Sequence, residues 1–224
     1  MTEAEDAVGR DGDGTGGARV LLLSGGGRYA DPWHPFERTS RLLADLLGGC
    51  GFDVEPRDDV EEALAELTDP AARPDLLVLN VGLPRDGAPV PADPDARDGF
   101  SAYLAGRRPL LAVHSSATSF PDLPQWEERL GGRWVRGTSM HPEHGRAAVR
   151  VLAGASPVVA GLAPFELLDE RYTHLRTADD LTVLADHEHE GGRHPLVWLR
   201  TGAAGGRTAY DALGHDERSY DCAE

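Results

Sequence analysis

Seven side chains that can carry a proton or ligate a metal fall at predicted strand ends or in the loops beside them. They are His34, His114, His141, Asp169, Glu170, Tyr172 and His215. Imidazole and carboxylate groups together are typical ligands of a divalent cation such as Zn²⁺ or Mn²⁺. The same groups also perform general acid-base chemistry on a hydroxyl or a ketone. A structural alternative stays open, in which Asp169 and Glu170 brace the fold and Tyr172 is a half-buried core residue.

His114 follows an apolar run over residues 109–113 that predicts a buried strand. Ligands of open α/β sheets gather at the carboxyl ends of the strands, and many α/β enzymes hold a nucleophile in the turn after such a strand. His114 occupies that elbow. Spacing alone supports equally well a structural histidine bonded to a backbone carbonyl. For Ser115 or Ser116 we expect helix N-capping rather than acyl transfer, because the G-x-S-x-G context is missing.

The C-terminal region predicts a β-hairpin that ends on a second histidine. Residues 194–198 and 208–213 form its strands, and Gly205, Gly206 and Arg207 form the turn. His215 comes directly after a glycine at the end of the second strand. A histidine in that position can face a cleft.

Two other patterns carry less weight. Three glycines at 25–27 follow the first predicted strand, but the G-x-G-x-x-G spacing is missing, so we expect a tight turn that lines a cleft rather than a nucleotide site. His187 and His189 fall on one face of a strand, as in some metal sites. Because they lie at a polar hairpin end, we expect them to be solvated.

Short apolar runs alternate with amphipathic segments in the first half of the chain. Strands are predicted at 20–23, 52–54, 76–79 and 109–113, with helices between them. After Trp134 the predicted strands are joined by turns, and they lie at 147–152, 181–185, 196–199 and 208–213. We therefore predict an α/β fold, a three-layer sandwich with a mostly parallel, doubly wound sheet and antiparallel edge strands.

Charge and composition exclude several classes of function. The chain has 224 residues, with 22 basic and 38 acidic side chains and a formal charge of −16. This acidity argues against a nucleic acid or an anionic membrane as the partner. Every basic residue is arginine, which excludes a Schiff-base lysine, a pyridoxal phosphate anchor and a P-loop lysine.

The termini and the cysteines indicate the organisation of the chain. Residues 1–18 are acidic and rich in glycine, which predicts a disordered leader, followed by one domain over 19–220 and a tail over 221–224. No apolar run approaches the roughly 20 residues of a membrane span, and no signal peptide is apparent. Cys50 and Cys222 lack metal-ligand spacing and predict reduced thiols, so we expect a cytoplasmic protein.

Several short motifs follow one another in a characteristic order. They are Ser24 with three glycines, Trp33-His34, Leu111 to Ser115, His141-Pro142, Asp169-Glu170-Arg171-Tyr172, His194 to Trp198, and Gly206-Arg207 through Leu213-Gly214-His215. In this order and spacing they resemble the ThuA-like family over residues 19–220. The resemblance implies a fold similar to that of class I glutamine amidotransferases and a link to the utilisation of trehalose or related sugars.

The same resemblance carries a negative expectation. Class I amidotransferases need a cysteine nucleophile at the elbow, and this chain has His114 there. Neither Cys50 nor Cys222 can replace it by sequence position. His141-Pro142-Glu143 is similar to the His-x-Glu pair of those enzymes but has no thiol to activate. We therefore expect no glutaminase activity.

Together these observations predict an enzyme of carbohydrate metabolism, a hydrolase or isomerase acting on a sugar or oxidised sugar derivative by acid-base or metal-assisted chemistry. The predicted catalytic residues are His114, His215 and Glu170. The predicted substrate contacts are His34, Asp169 and Tyr172. A divalent metal, zinc or manganese, is assigned to His114, His141 and His215. The alternative is a non-catalytic sugar-binding or regulatory domain on an amidotransferase-like fold. We also expect a homo-oligomer.

Overall fold

The structure of this chain is a computed structural model that describes residues 17–222. The predicted leader lies outside the described residues except for residues 17 and 18, and the last two residues of the predicted tail also lie outside them.

Nine strands, numbered in chain order, form one mixed sheet. From edge to edge they are β2 (Asp53–Arg57), β1 (Arg19–Ser24), β3 (Leu76–Asn80), β4 (Leu110–Val113), β11 (Arg207–Asp211), β10 (Gly192–Thr201), β9 (Thr182–His189), β6 (Gly145–Val151) and β7 (Phe165–Asp169). The short strands β5 (Gly132–Arg133) and β8 (Arg176–Thr177) form a separate antiparallel ladder.

The sheet is parallel from β2 to β11 and antiparallel from β11 to β7. The continuous apolar runs of β1 and β3 are buried on both faces, as a covered parallel sheet requires. The predicted fold class is confirmed. The antiparallel part is wider than expected because it includes β7. The sequence pattern did not reveal β7, since the exposed Leu168 interrupts its alternation of apolar and polar residues.

Within the described residues four α-helices complete the three layers, and they are α1 (Phe36–Gly49), α2 (Val60–Glu66), α3 (Pro94–Leu104) and α4 (Pro124–Leu130). Leu21 and Leu23 pack with α2, α3 and α4 on one face of the sheet, whereas Val20 and Leu22 pack with α1 on the other. Successive strand residues point to opposite faces, so β1 belongs to both cores. No helix among residues 17–222 is long and apolar enough to cross a membrane.

Helix α1 covers only part of its face of the sheet, and an apolar groove of about 490 Å³ remains beyond β4. Leu46 and Val158 on its rim are 59% and 66% exposed. The Asp211 carboxyl, at the end of β11, also lines this groove. Burial among apolar side chains raises the pKa of Asp211 to about 6.

We predict that Asp211→Asn stabilises the protein above pH 6 and has little effect below pH 4. The folded-state pKa of Asp211 is raised from its ordinary value of 3.8. Folding therefore loses stability as the pH rises through that window, and the neutral amide removes this loss. The amide oxygen can still accept the hydrogen bond from the Leu213 N–H.

Thermal melts of the parent and of Asp211→Asn between pH 4 and pH 8 test this prediction. Asp45→Asn, on the exposed side of α1, is the matched control. A difference in melting temperature that does not change with pH would contradict the assigned burial of the Asp211 carboxyl.

Candidate functional site

The candidate site lies at the carboxyl edge of the sheet. His114 directly follows β4, and His215 follows β11, which runs parallel to β4. His34 lies in the loop between β1 and α1. Four successive antiparallel pairings from β11 to β7 return β7 to the direction of β11, so Glu170 after β7 is at the same edge.

Strand direction alone does not bring Glu170 near His215. Neighbouring strands lie about 4.8 Å apart, so four steps across a flat sheet would separate β7 from β11 by roughly 19 Å. In the structure, however, the Gly214 N–H donates to Asp169 Oδ2 at 2.7 Å. The antiparallel half of the sheet therefore curls back, and its last strand closes against the loop after β11.

Asp169 holds this closure. Its carboxylate is fully buried and also accepts the backbone N–H groups of Glu170 at 2.7 Å and of His215 at 3.3 Å. Gly214 has φ 104°, a conformation that favours glycine. The predicted substrate contact through Asp169 is wrong, because both carboxylate oxygens are bonded to backbone amides away from solvent. Asp169 instead positions two residues of the site.

His114 is 1% exposed and has φ 45°, which is uncommon for a residue with a side chain. Such strain persists only where the surrounding structure fixes it, and it is frequent at functional elbows. The His114 Nδ1 atom is 2.7 Å from the Ala212 carbonyl oxygen. Because that oxygen can only accept, Nδ1 donates to it, and Nε2 is the nitrogen that faces the site. His114 therefore makes the backbone hydrogen bond of the structural alternative and also lies in the candidate site.

The serines after His114 do not cap a helix. A short 3₁₀ turn covers residues 114–118, and its N-cap makes no side-chain hydrogen bond. The Ser115 hydroxyl donates to the Val81 carbonyl oxygen at 3.1 Å, and the Ser116 hydroxyl donates to that of Leu79 at 2.9 Å. The expected N-capping role is thus wrong. Both hydroxyls instead tie the elbow to the end of β3.

His34 is oriented by a residue that the sequence reasoning missed. Its Nδ1 lies 2.8 Å from the carboxylate of Asp31, which also accepts the His34 backbone N–H. The second ring nitrogen thus remains for the site. Burial lowers the pKa of His34, although Asp31 opposes this effect. The Asp31-x-x-His34 spacing was the available signal, because a carboxylate that holds one nitrogen of a metal-binding histidine is a common arrangement.

Glu170 lies at the centre of the histidines. Its Oε2 atom is 3.5 Å from His114 Nε2 and 3.4 Å from His215 Nδ1, while Oε1 is 3.6 Å from His141 Nε2. Burial disfavours the Glu170 carboxylate, but His114 and His215 outweigh burial and lower the pKa of Glu170. Likewise burial opposes protonation of His215, but Glu170 more than offsets it and raises the pKa of the ring.

Four residues bring one possible ligand atom each to within 4.8 Å of one another, and they are His34, His114, Glu170 and His215. The ring centroids of the three histidines are 5.0 to 5.4 Å apart. The predicted metal set of His114, His141 and His215 differs from this group at one position, since His141 lies outside it and contacts Glu170 from the other side. His34 replaces His141 because the turn held by Asp31 aims its ring inward.

Tyr172 is 3% exposed, and its hydroxyl lies 3.1 Å from His114 Nε2. It was predicted to contact substrate, and its contact in the structure is with His114. The prediction of a solvated hairpin end is wrong for His187, which is fully buried. His187 Nε2 lies 3.1 Å from the Tyr172 carbonyl oxygen and so braces that tyrosine. His144, also missed, lies beside His215 with ring centroids 5.3 Å apart.

Comparison with known proteins places this architecture in a family. A sequence profile named ThuA and described as trehalose utilisation matches residues 19–224. The chain belongs to the ThuA family. No curated protein sequence matches the chain.

Solved structures share the fold at low sequence identity. A ThuA-like protein from Bacteroides uniformis has 18% identity and a TM-score of 0.69, covering 96% of this chain and 89% of its own. A ThuA-like protein from Parabacteroides merdae has the same identity and TM-score, with coverage of 89% and 80%. A β-galactosidase from Rahnella sp. R3 has 15% identity and a TM-score of 0.58, and the match covers 92% of this chain but 30% of the enzyme.

We predict that Asp169→Asn lowers the melting temperature and loosens the loop that carries His215. The substitution places an amide NH₂ against backbone N–H groups that need an acceptor, and leaving a buried donor unpaired costs about 1 to 3 kcal/mol. Differential scanning calorimetry measures the loss of stability. Asp179→Asn, at an exposed turn, is the control. Equal melting temperatures for the parent and Asp169→Asn would show that this carboxylate does not hold the closure.

Proposed function

We propose that this ThuA-family chain is an enzyme that acts on a sugar or an oxidised sugar derivative, with a divalent cation held by His34, His114, Glu170 and His215. The observation that carries the proposal is the convergence of three imidazoles and one carboxylate within 4.8 Å at the carboxyl edge of the sheet. This edge is where open α/β sheets bind their ligands.

The hydrogen bonds around the cluster support a metal site. Asp31 and the Ala212 carbonyl each occupy Nδ1 of one histidine, so His34 and His114 both direct Nε2 into the site. Histidine ligands are commonly fixed in this way through their other nitrogen. Nδ1 of His215 is buried, and Glu170 Oε2 lies 3.4 Å from it. A cation between this nitrogen and the carboxylate would bind both.

The donor set suits zinc or manganese, since neutral imidazole binds Zn²⁺ well and a carboxylate is acceptable to both ions. A bound cation would supply Lewis acidity to a sugar hydroxyl or carbonyl. Glu170 keeps a second oxygen, which faces His141 rather than the other ligands. That oxygen and the partly exposed His141 ring are placed to accept and release protons of a substrate.

The proposal that the substrate is a sugar rests on the family, whose profile is described as trehalose utilisation. A sugar-binding or regulatory domain without catalysis is the competing function, and an apolar cleft at the sheet edge would favour it. The clustered titratable side chains with shifted pKa values favour the enzyme. A cytoplasmic location and a homo-oligomer stay predictions of the sequence.

We predict that Glu170→Gln keeps the fold and weakens binding of Zn²⁺ and Mn²⁺ by about 100-fold. The substitution conserves side-chain volume but removes the one anionic ligand, and losses of supporting groups alone weaken metal affinity by about 10 to 100-fold. Isothermal titration of metal-free protein measures the affinities, and circular dichroism checks the fold. Glu166→Gln, an exposed carboxylate on strand β7, which directly precedes Glu170, is the matched control.

Two results would contradict the metal site. One is unchanged metal affinity in Glu170→Gln, and the other is equal loss in Glu166→Gln. If neither metal binds the parent protein, the acid-base form of the proposal is the one left to test with sugar substrates.

We also predict that the protein releases no ammonia from glutamine. His114 occupies the elbow, and Cys50 follows α1 at the opposite edge of the sheet, where Asp53 pairs with Arg19 at the start of β1. A thiol nucleophile would need to reach the elbow. A coupled ammonia assay on purified protein tests this expectation. Turnover that is abolished by Cys50→Ser would place the reactive thiol where the structure does not.

A further inference from the structure

A second cavity, of about 600 Å³, lies beside the histidine site and has an unusual charge. Three of the side chains that line it are arginines, Arg85, Arg133 and Arg136, and none is acidic. The chain as a whole has a formal charge of −16. A cavity lined by positive charges alone therefore has a charge opposite in sign to that of the protein as a whole.

The positive charge of this arginine pocket is not neutralised by neighbours. Within residues 17–222, no carboxylate pairs with Arg85 or Arg136. Arg133 lies 3.6 Å from Glu127, but Arg176 already binds that carboxylate with two hydrogen bonds of 2.6 and 2.7 Å. One carboxylate is therefore shared by two guanidinium groups.

The arginine pocket adjoins the histidine site on two sides. Trp134 lines the pocket and packs edge-on against Tyr172, with ring centroids 4.6 Å apart, and Tyr172 in turn contacts His114. The Arg85 guanidinium lies 4.7 Å above the ring centre of Trp33, the residue before His34. This cation–π contact holds the Arg85 guanidinium against Trp33.

We propose that the arginine pocket binds an anionic group, a carboxylate or a phosphate, of the sugar derivative whose reacting atoms lie at the histidine site. This inference rests on the proposed function and narrows its substrate class to acidic sugars. Guanidinium groups present paired N–H donors that match carboxylate and phosphate oxygens. A volume of about 600 Å³ is within the range of small-molecule sites. Arg85 and Arg136 supply the uncompensated charge, and Trp134 supplies a flat surface toward the sugar ring.

The test compares matched ligands on the full chain. The affinities of D-glucose, D-glucuronate, D-glucose 6-phosphate and inorganic phosphate are measured by calorimetric titration at 150 mM salt, for the parent and for Arg85→Gln/Arg136→Gln. We expect the parent to bind at least one of the two acidic sugars about 10-fold more tightly than glucose. The double variant should lose that preference and bind glucose as the parent does.

A second double variant controls for the change in net charge. Arg107→Gln/Arg146→Gln also removes two positive charges, but from outside the arginine pocket. Arg107 precedes β4, at the amino end of the parallel strands, and Arg146 lies on β6. It should keep the preference of the parent. The glucuronate and phosphate arms show which anionic group the pocket takes.

Several results would overturn the arginine pocket. These are no binding of either acidic sugar, equal affinity for the acidic and neutral sugars, or a preference that survives in Arg85→Gln/Arg136→Gln. Inorganic phosphate that binds as tightly as glucose 6-phosphate, without binding of glucuronate, would also overturn it, because the pocket would then take a free ion. Failure of metal binding with a retained preference for acidic sugars would remove the proposed metal site and leave the pocket intact.

Discussion

The hydrogen bonds from the backbone of Gly214 and His215 to the buried Asp169 carboxylate are the contacts on which the site depends. They join the last strand of the antiparallel half to the loop that ends the parallel half. They hold Glu170 and His215 together, with a further hydrogen bond from the Ser219 hydroxyl to the Leu168 carbonyl oxygen at 3.3 Å. A buried carboxylate that accepts three backbone N–H groups is strongly held, because each amide would otherwise be unpaired. One side chain thus contacts both halves of the sheet beside the cluster.

In two histidines of the site, one ring nitrogen makes a structural hydrogen bond and the other faces the cluster. His114 bonds the Ala212 carbonyl with Nδ1, and His34 bonds Asp31, so in each ring the other nitrogen has a fixed direction. The positive φ of His114 is maintained by this bond and by the Tyr210 hydroxyl, which donates to the His114 carbonyl oxygen at 2.8 Å. A structural role and a functional role are therefore not alternatives for these residues. Rigid placement is what a ligand or a proton carrier requires.

The charge of the surroundings complements this cluster. Glu170 is the anionic centre of the histidines, while the neighbouring pocket carries arginines that few carboxylates oppose. A ligand with a hydroxyl or carbonyl at one end and an anionic group at the other would meet opposite charges at its two ends.

The sequence by itself determined which strands exist in the parallel half and which edge they share. Continuous apolar runs and the direction of the chain are local properties, so His114 and His215 could be placed at the carboxyl edge from pattern alone. Only the tertiary structure decided what surrounds them. Asp31 was not recognised because it acts on His34 through a local turn. The strand before Glu170 was not recognised because its alternation of apolar and polar residues is interrupted. The place of His34 in the cluster follows from the turn that Asp31 holds. The place of Glu170 follows from the curl of the sheet, a property of long-range contacts that no window of the sequence contains.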